Sequence, residues 1–280
     1  MTFEILTNPA TSPASLLFQQ CLVEIVPENK MLFRYTFENP TIFYKSIELV
    51  KDIIDILNFN FSTDGICFQA MDCAHVALVS GTFHKHFFST LEFDRGFVRK
   101  GIHLKSLVLC LKCCQEGDKV SFLETDSEDF QIEIIKKDNE VYTFVLPTVE
   151  METEELQIPE DEKYECECHL KSSVFHEMIK NVSLFGETIS ISNKGKLLDI
   201  RGENSNGSLC ISKVLEPDCI SSTQNISASF STKYFQTFAR GTQIADTVYL
   251  WVSDEKPICF TYVPNETCSL QFYLAPKIVD

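Results

Sequence analysis

A helical stretch from Thr41 to Leu57 runs into Phe59-Asn60-Phe61-Ser62, a turn at Asp64-Gly65, and then Ile66-Cys67-Phe68-Gln69-Ala70. The series recurs: a helical stretch from Ser173 to about Leu184, then Ile189-Ser190-Ile191-Ser192, a turn at Lys194-Gly195, and Lys196-Leu197-Leu198-Asp199-Ile200. Both read as helix, strand, tight glycine turn, strand. The repeating unit exceeds a hundred residues, too long for a solenoid repeat and suited to a duplicated domain.

Each half continues in the same way. A helix over Leu104–Cys114 precedes strands near Val120–Glu124, Phe130–Ile135 and Val141–Leu146. A helix over Thr232–Arg240 precedes strands near Thr247–Val252, Ile258–Tyr262 and Leu270–Leu274. Few helices among many antiparallel strands define an α+β fold. The expected divisions are an N-terminal extension over 1–30, a first domain over 31–147, a connector over 148–163 and a second domain over 164–280. Asn8-Pro9, Ser12-Pro13 and Pro27-Glu28-Asn29 break up the extension, which reads as a disordered or loosely packed terminus. The connector is crowded with acidic residues around an apolar trio, Leu156-Gln157-Ile158, followed by Pro159.

No apolar stretch approaches the roughly 20 residues needed to span a bilayer, and the N-terminus lacks the basic and apolar regions of a secretory signal. The 12 cysteines are spaced too tightly at Cys113-Cys114 and Cys166-Glu167-Cys168 for ordinary bridges. Those in apolar runs, such as Cys67, Cys110, Cys210 and Cys259, read as small hydrophobes in a reducing compartment. No zinc spacing, P-loop, GxSxG or HExxH pattern is present, so neither catalysis nor a metal or other cofactor is expected. The net charge of −16 argues against a nucleic-acid binder only if the cations are evenly spread.

They are not. In the first helix Ile47, Val50 and Ile54 form the apolar stripe, and Lys45, Glu48, Lys51, Asp52 and Asp55 lie opposite. In the second, Lys105 and Lys112 share the outward face. In the third, Phe175, Met178, Ile179 and Val182 pack inward, leaving His176, Glu177 and Lys180 outside. In the fourth, Tyr234, Phe235 and Phe238 pack while Lys233 and Arg240 share a face. These are either the solvated faces of amphipathic helices or a surface that attracts phosphates without reading bases. Helices two and four carry only positive charge outward.

Phe68-Gln69-Ala70-Met71-Asp72-Cys73-Ala74-His75-Val76-Ala77-Leu78-Val79 resembles the signature of the proliferating cell nuclear antigen family of sliding clamps. Tyr273-Leu274-Ala275-Pro276-Lys277-Ile278, the connector's Leu156-Gln157-Ile158-Pro159 followed by Tyr164, and Ser183-Leu184-Phe185-Gly186-Glu187 resemble it too, and the likeness runs through residues 31–280. It implies the DNA-clamp fold, with two topologically similar domains per chain. Three chains would close into a six-domain ring whose helices line the hole. The implied function is a DNA polymerase processivity factor that encircles duplex DNA and docks replication and repair proteins, including a clamp loader, in the nucleus or at a viral replication site.

By resemblance the DNA-facing residues are Lys45, Lys51, Lys112, Lys180, Lys233 and Arg240, with Lys105 added from helix phase. Tyr44, Leu109 and Glu177 stand where basic residues are usual. The client-peptide pocket maps to Met71, His75, Val76, Leu78, Leu156, Ile158, Pro159, Tyr164, Pro257, Tyr273, Ala275 and Pro276, with Gln157 where glycine is common. Subunit contacts map to the edge segments Val141–Leu146 and Ser208–Val214, through Val141, Tyr142, Phe144, Leu146, Leu209 and Ile211. Lys194 matches a lysine that is modified in some relatives. The missing inner charges and the extension leave open a second reading, a subunit of a heterotrimeric checkpoint ring or a clamp-derived transcription factor.

Overall fold

The computed structural model describes residues 31–94, 96–125, 130–151 and 163–277. The expectations placed on the extension and on most of the connector, including Leu156, Gln157, Ile158 and Pro159, lie outside those residues.

The first half begins with β1 (Met31–Phe37), α1 (Thr41–Val50), β2 (Ile56–Ser62), β3 (Gly65–Met71) and β4 (Ala77–His84). It continues with β5 (Thr90–Phe93), β6 (Val98–His103), α2 (Leu104–Leu111), β7 (Lys119–Thr125), β8 (Phe130–Ile135) and β9 (Val141–Leu146). A short β10 (Thr148–Val149) pairs with β6, so the first connector residues belong to a sheet edge. The second half begins with β11 (Cys166–Lys171), α3 (Ser172–Val182), β12 (Thr188–Lys194), β13 (Leu197–Asn204) and β14 (Gly207–Val214). It ends with β15 (Ile220–Ser222), β16 (Ser227–Ser231), α4 (Thr232–Phe238), β17 (Thr247–Val252), β18 (Ile258–Asn265) and β19 (Cys268–Leu274).

The two halves match element for element, and their sheets match strand for strand. The order β5-β1-β7-β8-β9 of the first half recurs as β15-β11-β17-β18-β19, and β6-β2-β3-β4 recurs as β16-β12-β13-β14. The halves join where β4 pairs antiparallel with β19, from Ala77↔Leu274 to Phe83↔Cys268, fusing two of the four sheets into one of ten strands. Two edges are therefore left unpaired at equivalent places: β9, the counterpart of β19, and β14, the counterpart of β4.

The helices are shorter than the sequence pattern predicts. The first ends at Val50, and Asp55 and Leu57 fall outside it, Leu57 in β2. Ile53 and Ile54 prolong the apolar periodicity, but Ile54 is buried from a turn rather than from a helix. Likewise α2 stops at Leu111, while α3 and α4 end in 3₁₀ turns over Ser183–Phe185 and Ala239–Gln243.

Aromatic rings fill the space between the sheets of the first half. Phe33 of β1 stacks on Phe61 of β2 at 4.8 Å, and Phe43 of α1 sits against Phe37, Phe83 and Phe122. In the second half Phe238 of α4 stacks on Phe272 at 4.7 Å, and the buried Tyr262 hydroxyl donates 2.9 Å to the Phe238 carbonyl at the helix end. Gly241 lies against that tyrosine, and a Cβ there would fall 2.2 Å from the ring. Gly241→Ala is expected to destabilise the chain by about 1–3 kcal/mol through overpacking, read as a lower denaturant midpoint at unchanged slope.

All eleven cysteines among the described residues are free thiols. Cys67 and Cys210, expected as interior hydrophobes, are exposed, because each lies on the outward side of its strand. No helix among the described residues is long and apolar enough to cross a membrane.

Candidate functional site

Two surfaces gather the residues singled out above. The first is the helical face. α1 packs beside α2, α3 beside α4, and α1 also meets the turn over 239–243, so helices of both halves share one face. Their apolar stripes are buried as periodicity predicts, and Lys105, Lys112, Lys180 and Lys233 are exposed.

The charge on this face differs from the expectation. Arg240 binds Asp52 across the boundary between the halves, and Lys105 binds Asp55 at 2.8 Å. Lys51 reaches Asp52 at 2.8 Å, and Lys45 reaches Glu48 at 3.0 Å. The outward faces of α2 and of the turn after α4 are thus not purely positive, because Asp55 and Asp52, in the segment after α1, fold over onto them. Lys112, Lys180 and Lys233 make no ion pair among the described residues. Leu109, 65% exposed, is an uncharged point in the middle of this surface. The Lys105 ammonium holds the Asp55 carboxyl below its ordinary range. For Asp52, burial opposes ionisation, but hydrogen bonds from Lys51 and Arg240 outweigh it and the carboxyl is again held low. These acids therefore stay charged at neutral pH.

The second surface lies at the β4–β19 junction. Met71 at the end of β3 stands opposite Leu78, and Leu78 stands opposite Tyr273. Ala275 N–H donates 2.9 Å to the Val76 carbonyl, which lays the C-terminal segment over the loop between β3 and β4. Pro257 adjoins Ile258, the partner of Leu274, and Lys256 lies 5.6 Å over the Tyr164 ring. Met71, His75, Val76, Tyr164, Pro257, Tyr273, Ala275 and Pro276 are exposed or half-buried here, whereas Leu78 is buried and forms the floor.

The loop is set by Asp72. Its buried carboxylate accepts the N–H groups of Val76 at 2.9 Å and Ala77 at 2.8 Å through Oδ1. Its Oδ2 accepts the N–H of Ala74 at 3.3 Å and the Tyr234 hydroxyl from α4 of the other half. Burial works against ionisation of Asp72, but these bonds win and hold it below the usual range. Burial and the Asp72 bond push Tyr234 up to about 12. His75 adopts φ +56°, a left-handed conformation the Asp72 bonds enforce. Sequence reading missed this pair: Asp72 lay unassigned inside a motif, and Tyr234 read as an ordinary packing residue.

The edge strands β9 and β14 carry the residues expected at subunit contacts. Val141 and Tyr142 are exposed, Phe144, Leu209 and Ile211 are half-buried against their own cores, and Leu146 is buried. Val145 (56% exposed) and Val214 (71%), within the same two segments, add apolar surface.

A duplicated α+β chain with its helices on one face and free matching edges at both ends has the architecture of a DNA-clamp subunit. The sequence profile of the proliferating cell nuclear antigen N-terminal domain matches residues 32–156, and that of the C-terminal domain matches residues 157–277. A probable DNA polymerase sliding clamp of Autographa californica nuclear polyhedrosis virus is 29% identical over 252 residues, covering 89% of this chain and 98% of that protein. Proliferating cell nuclear antigen 2 of Drosophila melanogaster is 30% identical over 241 residues, covering 84% and 94%. The crystal structure of proliferating cellular nuclear antigen from Entamoeba histolytica superposes with a TM-score of 0.81 at 27% identity, covering 89% of this chain and all of that one.

The chain belongs to the proliferating cell nuclear antigen family, and is a divergent member of it. It is a sliding clamp, a scaffold rather than an enzyme. The checkpoint-ring and transcription-factor readings are not favoured.

Proposed function

We propose that three copies of this chain close head-to-tail around duplex DNA, and that the ring tethers DNA polymerase and other client proteins to it. One observation carries the reading. Within the chain, the fourth strand of the first half pairs with the ninth strand of the second, and the ninth of the first (β9) and the fourth of the second (β14) are left free. Repeating the β4–β19 junction between chains pairs β14 with a neighbour's β9. That pairs both of these free edges in every subunit of a closed ring. Tyr142 and Val145, the counterparts of Leu270 and Tyr273, then lose solvent exposure.

The helical face lines the hole, with Lys112, Lys180 and Lys233, which make no ion pair among the described residues, and Lys45, Lys51, Lys105 and Arg240, which are held by acids. A topological link needs little affinity, so few phosphate contacts suffice. Client peptides insert an apolar anchor over Leu78, between the 72–77 loop and Ala275-Pro276. A clamp loader opens the ring, and the setting is the nucleus or a viral replication site, in keeping with a nuclear polyhedrosis virus and an insect among the relatives.

The direct test is retention on closed circular DNA and loss when that circle is linearised. Retention that ignores linearisation would refute encirclement. A second expectation concerns charge. Asp52→Asn with Asp55→Asn frees Lys51, Lys105 and Arg240, and the logarithmic salt dependence of DNA binding should steepen by about 0.9 for each new phosphate contact. Stability should change little, because exposed pairs contribute little.

A further inference from the structure

Two strands from the client-peptide surface, β11 and β17 carry an aromatic row on the side of the ten-stranded sheet turned from the helices. The alternate residues Cys166, Cys168 and Leu170 of β11, and Val248, Leu250 and Val252 of β17, are buried, and α3 packs on these two strands. The other alternation presents Glu167 opposite Trp251 and His169 opposite Tyr249. The Tyr249 and Trp251 rings stack at 6.1 Å, and His169 lies 5.4 Å from Tyr249. A 3₁₀ turn over Pro217–Cys219, leading into the edge strand β15, walls the row on one side and makes it a groove. Glu167 and Asp218 are exposed at its rim, with no ion pair among the described residues, and no lysine or arginine lines it.

We infer that this groove is a docking site for an extended peptide segment of a partner protein that presents an arginine or lysine side chain. Charge complementarity and ring geometry both favour such a side chain. Stacked aromatic faces attract a cation, a guanidinium stacks on them best, and the two carboxylates supply the counter-charge. Large aromatic side chains on a solvent-facing sheet surface are also what binding anchors are made of. A purely structural origin for the row is disfavoured, since Tyr249 is 38% exposed and supports no core. Trp251 pairs with Cys259 and Cys259 with Tyr273, so the groove lies two strands from the client-peptide surface on the same side of the sheet, and it does not include the free edges β9 and β14.

Trp251 is the only tryptophan of the chain, so its fluorescence reports occupancy directly. The full chain is titrated with two acetylated, amidated pentapeptides, Gly-Pro-Arg-Pro-Gly and Gly-Pro-Ala-Pro-Gly, and with an oligothymidylate. The arginine peptide should give a saturable change that weakens with added salt, and the alanine peptide should bind at least about fivefold less tightly. Tyr249→Ser and Glu167→Gln should each weaken the arginine peptide about threefold, with the far-ultraviolet dichroism unchanged. Glu167 is exposed, so its variant keeps the test valid should Tyr249→Ser fold poorly. Equal binding of both peptides, no response at millimolar peptide, indifference to Glu167→Gln, or a response to the oligonucleotide alone would each overturn the inference.

Discussion

Replacing Asp72 with alanine is expected to cost about 3 kcal/mol of stability, because a buried carboxylate accepting charge-assisted hydrogen bonds leaves its donors without partners. Those donors are the backbone N–H groups of Ala74, Val76 and Ala77 and the Tyr234 hydroxyl. The effect is not confined to one loop, since Tyr234 belongs to α4 and the other three donors to the first half. The loop that places His75 and Val76 loses its shape, so client-peptide affinity should fall together with stability. Tyr234→Phe removes one bond of the set and should have a smaller effect on both. The pH dependence has a definite sign. The folded-state pKa of Asp72 is depressed, so its contribution is complete above the unfolded value of about 3.9 and is lost as pH falls through the lower folded value. In the Asp72→Asn chain that part of the acid destabilisation should disappear, which denaturant unfolding between neutral and acid pH will show.

The second large effect is on assembly. Tyr142→Asp is expected to break the ring into single chains of 31.9 kDa. In the β4–β19 junction the residue equivalent to Tyr142 is Leu270: Leu270 faces Tyr262 as Tyr142 faces Ile134, and Leu270 is buried at 1%. A carboxylate in that environment costs about 3 kcal/mol or more at each contact, roughly a hundredfold in affinity. The free chain should tolerate the change, since Tyr142 is 41% exposed there. A variant that unfolds as the parent does yet sediments as a monomer would locate the contact. One that stays trimeric would place the contact elsewhere.

Much of this was legible in the sequence because its signals are local. The glycine turns at Gly65 and Gly195 and the amphipathic stripes of α1 to α4 each depend on a few neighbouring residues. What was not legible depends on residues far apart. The β4–β19 pairing joins segments at opposite ends of the chain, and nothing in Ala77–His84 specifies its partner. The Asp52–Arg240 and Asp72–Tyr234 contacts exist only because that pairing brings the halves together, so the helical face read as more positive than it is. The overlong first helix has another cause. Ile53 and Ile54 keep the helical period beyond Val50, and apolar spacing does not distinguish a residue buried by a helix from one buried by the turn after it.

The free edges of one chain are completed by its neighbours in a closed ring of three. Light scattering of the unmodified chain, taken from high to nanomolar concentration, tests it most directly. A mass of about three times 31.9 kDa that survives dilution is expected, because a closed ring has no exposed end from which to come apart. A single-chain mass at every concentration would contradict it.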